Sequence, residues 1–314
     1  NLQAQWASQH AGQVDARLRT ELTATTDPAG RTHWGWPASA PLQGQVQARL
    51  PQIAAWSALA PPGWRLRGAL ALDARVAGTR GAPQLSGTAA ADDVALRSVV
   101  DGIELADGHL RARFQDTRLV IDEFTLRGPA SKDSSGGSLK ASGEAGWADG
   151  QAHAHLSATL DRLRASIRAD RQVTVSGAVQ ATLAGRAIRA DGRLRIDQAR
   201  ITLPDESRPE LGEDVIVRGA GGKLLYGAPP PSAQPSAAPS PLTANVDVQV
   251  DLGEDFRVQG LGVDTRLAGT LQLAANGPLG AAPQLTGLVQ TQGGRFQAYS
   301  QNLDISRGRI RFTG

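Results

Sequence analysis

Residues 82–87 read Ala-Pro-Gln-Leu-Ser-Gly, and residues 282–287 read Ala-Pro-Gln-Leu-Thr-Gly. The likeness extends in both directions. The interval from Gly87 to Gly108 is repeated from Gly287 to Gly308. Around those later glycines, Gly-Ile-Glu-Leu-Ala-Asp-Gly-His-Leu-Arg-Ala-Arg-Phe (102–114) matches Asn-Leu-Asp-Ile-Ser-Arg-Gly-Arg-Ile-Arg-Phe (302–312). Upstream, Leu66-Arg-Gly-Ala-Leu-Ala-Leu72 matches Leu267-Ala-Gly-Thr-Leu-Gln-Leu273. Each piece alternates apolar with polar residues, the period of a strand with one buried face. Short strands recurring between Gly, Asp, Asn and Pro imply one unit stacked along an axis, which presents a long surface in place of a pocket.

The alternation runs nearly unbroken from 64 to 312. It includes Leu119/Ile121, Phe124/Leu126, Val173/Val175, Ile201/Leu203, Val215/Val217 and Phe256/Val258. Asp-Gly pairs at 101–102, 107–108, 149–150 and 191–192 read as turns between strands. Few helical windows intervene, so the predicted class is all-β, a mostly antiparallel curled sheet. Residues 160–171 have helical spacing, but two strands turning at Ala169-Asp170 fit their surroundings better. The one helix expected is a short cap at about 51–59, opened by Pro51 and stopped by Pro61-Pro62-Gly63. The expected organisation is 1–63 as N-terminal strands with that cap, 64–227 as a sheet segment, 228–241 as a loop, and 242–314 as a continuation of the sheet. The loop, Ala-Pro-Pro-Pro-Ser-Ala-Gln-Pro-Ser-Ala-Ala-Pro-Ser-Pro (228–241), has the composition of an extended linker. Ser131–Gly137 reads as a flexible turn. Roughly 20–25 strands at ~4.8 Å each would give a sheet on the order of 100 Å long.

Composition suits a thin sheet. Hydrophobic residues make up 40% of the 314 and aromatic ones only 4%, too few large rings for a thick core. Alternate apolar positions should share the concave face: Leu70, Leu72, Leu110, Phe114, Leu194, Ile196, Val246, Val248, Val250, Leu271, Leu273, Ile310 and Phe312. Arg111, Arg113, Arg193, Arg195, Arg309 and Arg311 between them should point outward. Without a second layer, such a face is covered by curling, by a partner or by lipid tails.

The formal charge is +3, but the arginines alternate with acids and never cluster with aromatics, which argues against nucleic acid. Cysteine is absent, which excludes disulfides and thiolate sites. His153 and His155 share a strand face, yet no nearby acid completes a metal set. Gly221-Gly-Lys-Leu224 lacks the rest of a phosphate loop, and no Gly-x-Ser-x-Gly elbow occurs. The expectation is a protein with no enzymatic activity, no cofactor and no metal. Lacking methionine and starting at Asn1, the chain reads as an excised piece of a longer one.

Three stretches together resemble the TamB family. Gly294-Arg-Phe-Gln-Ala-Tyr-Ser-Gln-Asn-Leu-Asp-Ile-Ser-Arg-Gly-Arg-Ile-Arg-Phe-Thr-Gly314 is similar to the family's C-terminal signature, with Ser300 where glycine is usual. Ala190–Pro204 with Gly212–Val217 resembles its strand pair ending in Leu-Pro and the strand that follows. The Gly-Thr/Pro-x-Leu-x-Gly block at 78–87 returns at 269–287. The resemblance covers roughly 42–314, near the C-terminal end of the family. It implies a long groove with an apolar concave face in the Gram-negative periplasm, on a parent protein anchored in the inner membrane. It also implies a TamA-like outer-membrane barrel protein as partner, and phospholipid or another acyl-chain ligand as cargo. On that reading the thirteen apolar residues form a lipid groove serving lipid passage, outer-membrane protein assembly, or both. Two alternatives stay open: a scaffold that takes client strands by edge addition, and a structural β-solenoid or passenger fragment.

Overall fold

A computed structural model describes residues 2–8, 12–26, 32–54, 63–98, 102–132, 134–148, 151–204, 217–218, 224–226, 242–278, 282–298 and 301–314. The N-terminal strands are β1 (Leu2–Ser8), β2 (Gly12–Thr20), β3 (Thr23–Thr26), β4 (Thr32–Gly35) and β5 (Leu42–Leu50). Next come β6 (Trp64–Thr79), β7 (Ala82–Ser98), β8 (Ile103–Asp116), β9 (Arg118–Arg127) and β10 (Ser138–Ala148). They are followed by β11 (Gln151–Ile167), β12 (Arg171–Ala184), β13 (Ala187–Thr202), β14 (Val217–Arg218) and β15 (Leu224–Tyr226). The last are β16 (Thr243–Asp251), β17 (Phe256–Gly260), β18 (Val263–Pro278), β19 (Gln284–Ala298), β20 (Gln301–Asp304) and β21 (Arg309–Thr313). No α-helix occurs among the described residues. Most of the helix expected at 51–59, and all of the 228–241 segment, lie outside them.

Among the described residues, seventeen of the strands form one sheet, β3 pairs only with β4, and β14 only with β15. Followed by their pairings, β1, β2 and β5 to β13 lie side by side, each antiparallel to the next. β13 then runs parallel to β16 and β17, which lie end to end along it. β18 pairs with both, β19 with β18, and β20 and β21 lie end to end along β19. The sheet is therefore fifteen strands across, about 70 Å at the usual strand spacing. That is shorter than the strand number alone predicts, because end-to-end pairs share a place and two hairpins stand apart.

Two of the expected turns are not turns. Asp107-Gly108 lies inside β8 and Asp191-Gly192 inside β13, while 149–150 fall outside the described residues. The hairpin at 160–171 does turn at 168–170.

A line of irregularities crosses the sheet. The registers slip at Asp92-Asp93 in β7, at Asp107-Gly108 in β8, at Asp161-Arg162 in β11 and at Asp197 in β13. The line continues through the gap between β16 and β17 to Gln292-Gly293 in β19. Asp93, Asp107 and Arg162 have φ of 53°, 50° and 44°, the left-handed conformation that accommodates an extra residue in one strand. A bulge bends its strand, and bulges in register bend neighbouring strands at one place. The result is a seam with a long wall on one side and a short wall on the other. Side chains tie it together: Arg162 N–H donates to Ser176 Oγ at 2.9 Å, and Ser176 Oγ donates to Asp197 Oδ2 at 2.5 Å. Residues 128–132 and 134–137 fold against it, with Arg164 N–H donating to Gly136 O at 3.0 Å and Arg164 Nη1 to Pro129 O at 2.8 Å.

Candidate apolar groove

Directly opposed residues of paired strands project to the same side of a sheet, so the registers assign every side chain to a face. From Leu50, pairing leads to Leu70, Ala91, Leu110 and Phe124 in succession. Phe114 lies opposite Gly87, and Leu72 opposite Ala89. Farther on, Leu194 opposes Gly177 and Val250, while Ile196 opposes Val175. Val250 in turn opposes Leu271, and Val248 opposes Leu273. Val246 lies across from Ala190, Ile310 from Val289, and Phe312 from Gly287. All thirteen predicted residues thus fall on one face. Arg111, Arg113, Arg193, Arg195, Arg309 and Arg311 fall on the other.

That face is almost free of charge. Among the paired residues, the registers bring only Asp116 and Arg171 to it, opposite Leu85 and Ile201 at strand ends. Its concavity follows from packing across the seam. Leu66, Leu96 and Ile103 of the short wall join Leu70, Leu110, Leu160 and Leu194 of the long wall around one buried cluster. The centre of that cluster is Ala91, Val94, Leu105, Leu126, Leu163 and Val175. Side chains from two walls can meet only if the face between them bends inward.

The sequence reading missed this centre, although a signal was present. Ile103/Leu105 and Leu110/Phe114 alternate out of phase, as do Leu119/Ile121 and Phe124/Leu126. Each phase slip marks a bulge that keeps both runs on the same face.

The repeated motif has a structural basis. Gly87 and Gly287 have φ of 135° and 137°. A Cβ on either would collide with a backbone carbonyl of the preceding strand, that of Asp73 or Thr270. Each glycine stands opposite a phenylalanine, Phe114 or Phe312, so the repeat sets a ring over a position with no side chain. The copies diverge upstream. Leu70 pairs with Ala91, whereas Leu271, its counterpart by sequence, pairs with Gly287 itself.

Depth is uneven along the face. Leu126 is 2% exposed and Val248 is buried. At the two edges Trp6, Leu303 and Ile310 are exposed. Among the described residues the buried Thr291 Oγ1 has no hydrogen-bond partner, and Thr265 Oγ1 donates to Gly293 O at 2.5 Å. The outer face carries the ions. Arg113 donates twice to Asp122, at 2.8 and 2.6 Å, and Arg257 twice to Asp264, at 2.9 and 2.7 Å. Those hydrogen bonds hold both carboxyls below their ordinary range. Arg111, hydrogen-bonded to Asp92 with help from His109, does the same there. Among the described residues, no group of His, Asp and Glu is arranged to hold a metal ion.

No solved structure matches the chain. A Haemophilus influenzae protein described as translocation and assembly module subunit TamB is 25% identical over 220 residues. The match takes in 68% of this chain and 16% of that protein's length. The family model for the TamB C-terminal domain matches residues 127–314, more than half of the chain, which belongs to the TamB family.

Proposed function

We propose that the concave face carries the acyl chains of phospholipid across the Gram-negative periplasm, as part of a longer subunit of the translocation and assembly module. The parent protein is anchored in the inner membrane and works with a TamA-like outer-membrane barrel protein. What carries the reading is a face fifteen strands long whose only charges, among the paired residues described, are Asp116 and Arg171 at strand ends. Each methylene withdrawn from water is worth ~0.8 kcal/mol, and a face so nearly free of charge offers that gain from rung to rung. Headgroups stay at the rim while the tails lie along the face. Family membership supports a role in the module; the arrangement of Leu, Val, Ile and Phe supports acyl chains as the cargo.

The test is direct. Phospholipid should co-purify with the chain and appear by mass spectrometry of its organic extract. Leu271 is half-buried, between Val250 and Gly287. In an open groove an arginine there turns its head to water, so Leu271→Arg should fold and lose lipid. A folded Leu271→Arg protein with its full lipid complement contradicts the reading.

One observation favours a second reading, in which the module accepts client strands. The apolar residues Leu303 and Ile310 are exposed on β20 and β21, which pair on one side only among the described residues. A strand added there would cover them. Crosslinks in strand register to a client, from a preparation free of lipid, would favour it.

A further inference from the structure

At the long-wall rim one arginine is held on an aromatic ring, unlike those in the ion pairs of the outer face. Arg80, in the turn between β6 and β7, donates from Nη1 to Trp36 O at 2.6 Å, and its guanidinium lies 5.3 Å from the centre of the Trp36 ring. No carboxylate pairs with it among the described residues. The turn is itself anchored: Arg80 N–H donates to Ala40 O at 3.0 Å and Gly81 N–H to Ala38 O at 2.8 Å. Trp36 leans to the apolar side of the rim, since its Nε1 donates to Thr20 Oγ1 at 2.8 Å and Thr20 opposes Leu42 on that face. Directly below is an apolar depression lined by Ala16, Leu18, Val46, Ala74, Val76 and Leu85. The hairpin of β3 and β4 leaves the sheet at the same rim and holds out Trp34, 70% exposed.

We propose that Arg80, positioned by Trp36, binds the phosphate of a phospholipid headgroup while the acyl chain lies in the depression below. The inference rests on the acyl-chain reading of the concave face and adds to it a fixed place for the head. An arginine held on an aromatic face keeps a planar fork of donors suited to a phosphate. An indole beside it has an apolar body and a polar edge, which suits the boundary between tail and head. A cation with no acid of its own, above an apolar hollow, is complementary to an anionic amphiphile and to neither of its halves alone.

The experiment titrates the purified chain by calorimetry with dodecyl phosphate, dodecyl maltoside and inorganic phosphate. Wild type should bind dodecyl phosphate more tightly than dodecyl maltoside, and inorganic phosphate far more weakly than either. Arg80→Gln, which still offers a donor to Trp36 O, should weaken dodecyl phosphate by about tenfold and leave dodecyl maltoside unchanged. Val46→Arg should weaken both. If Arg80→Gln fails to fold, Arg80→Lys keeps the charge without the fork and reads the same contrast at smaller amplitude. Unchanged dodecyl phosphate binding in the folded Arg80 variant overturns the headgroup site but leaves the groove standing. Inorganic phosphate binding as tight as that of dodecyl phosphate overturns it in favour of a free-anion site. Failure of wild type to bind either amphiphile overturns the acyl-chain reading itself.

Discussion

The two copies of the repeated motif form similar strand pairs and end in different surroundings. In the first, β7 and β8, Ala91 is 4% exposed, Ala112 4% and Val94 6%. In the second, β19 with β20 and β21, Val289 is 2% exposed but Leu303 and Ile310 are 57% and 48%. Alternation is equally good in both. The difference comes from what crosses the seam. The first copy meets Leu126 from the adjoining β9, and Leu163 and Val175 from β11 and β12 farther along the chain, and the second meets nothing comparable among the described residues. Local pattern fixes the strand and its face; burial is granted by distant residues.

The largest effect should come from placing a charge on each side of that comparison. Leu126→Arg puts an uncompensated cation at a site 2% exposed, where no path lets the head reach water. The cost is several kcal/mol, enough to abolish a cooperative denaturant transition. Ile310→Arg, at an exposed position of the same face, should shift stability by less than ~0.5 kcal/mol. Equal losses from the two substitutions would show that the C-terminal strands are buried as deeply as the seam.

Next are the repeat glycines. Gly87→Ala and Gly287→Ala each force a Cβ toward a backbone carbonyl at a φ that side chains avoid. Both should destabilise, by roughly 1–3 kcal/mol of strain. Phe114→Ala and Phe312→Ala separate the copies. Phe114 packs between β7 and β9, opposite Gly87 and Leu119, and its loss should cost about 3 kcal/mol. Phe312, on a strand paired only with β19 among the described residues, should cost clearly less. Urea midpoints of the four variants measure this, and a Phe312→Ala loss matching that of Phe114→Ala would contradict the asymmetry.

What could be read in the sequence follows the same division. Leu70/Leu72, Val246/Val248/Val250 and Leu271/Leu273 could be placed on one face because period-two alternation is a property of a single strand. The seam could not, because a bulge gains its meaning from the bulges beside it in space. Asp107-Gly108 is locally indistinguishable from a hairpin turn; only its neighbours Asp92-Asp93 and the 128–137 loop make it a bend within a strand. The parallel step from β13 to β16 was equally hidden, since the alternating pair between them, Val215/Val217, says nothing about strand direction. Leu126 looked like any other alternating leucine until Leu163 and Val175 closed over it.

The smallest effect concerns the outer face, where the regions should behave alike. Asp122 near the first copy and Asp264 near the second are each held by two hydrogen bonds from an arginine, and both carboxyls lie below their ordinary value of 3.8. A carboxyl depressed on folding stabilises the protein while ionised. That contribution is complete above the unfolded value of 3.8 and disappears as pH falls through the lower folded value. Asp122→Asn and Asp264→Asn should therefore each lower the urea midpoint slightly at neutral pH, and the deficit should vanish at a pH below the folded values. Both arginines are well exposed, with side-chain accessibilities of 53% and 42%, so solvent and salt screen the pairs. Added salt should erase most of the neutral-pH difference. If Asp264→Asn were far more damaging than Asp122→Asn, or insensitive to salt, its pair would be bracing the open end of the sheet. Equal, salt-sensitive losses leave the inner face alone as the source of the difference between the two copies.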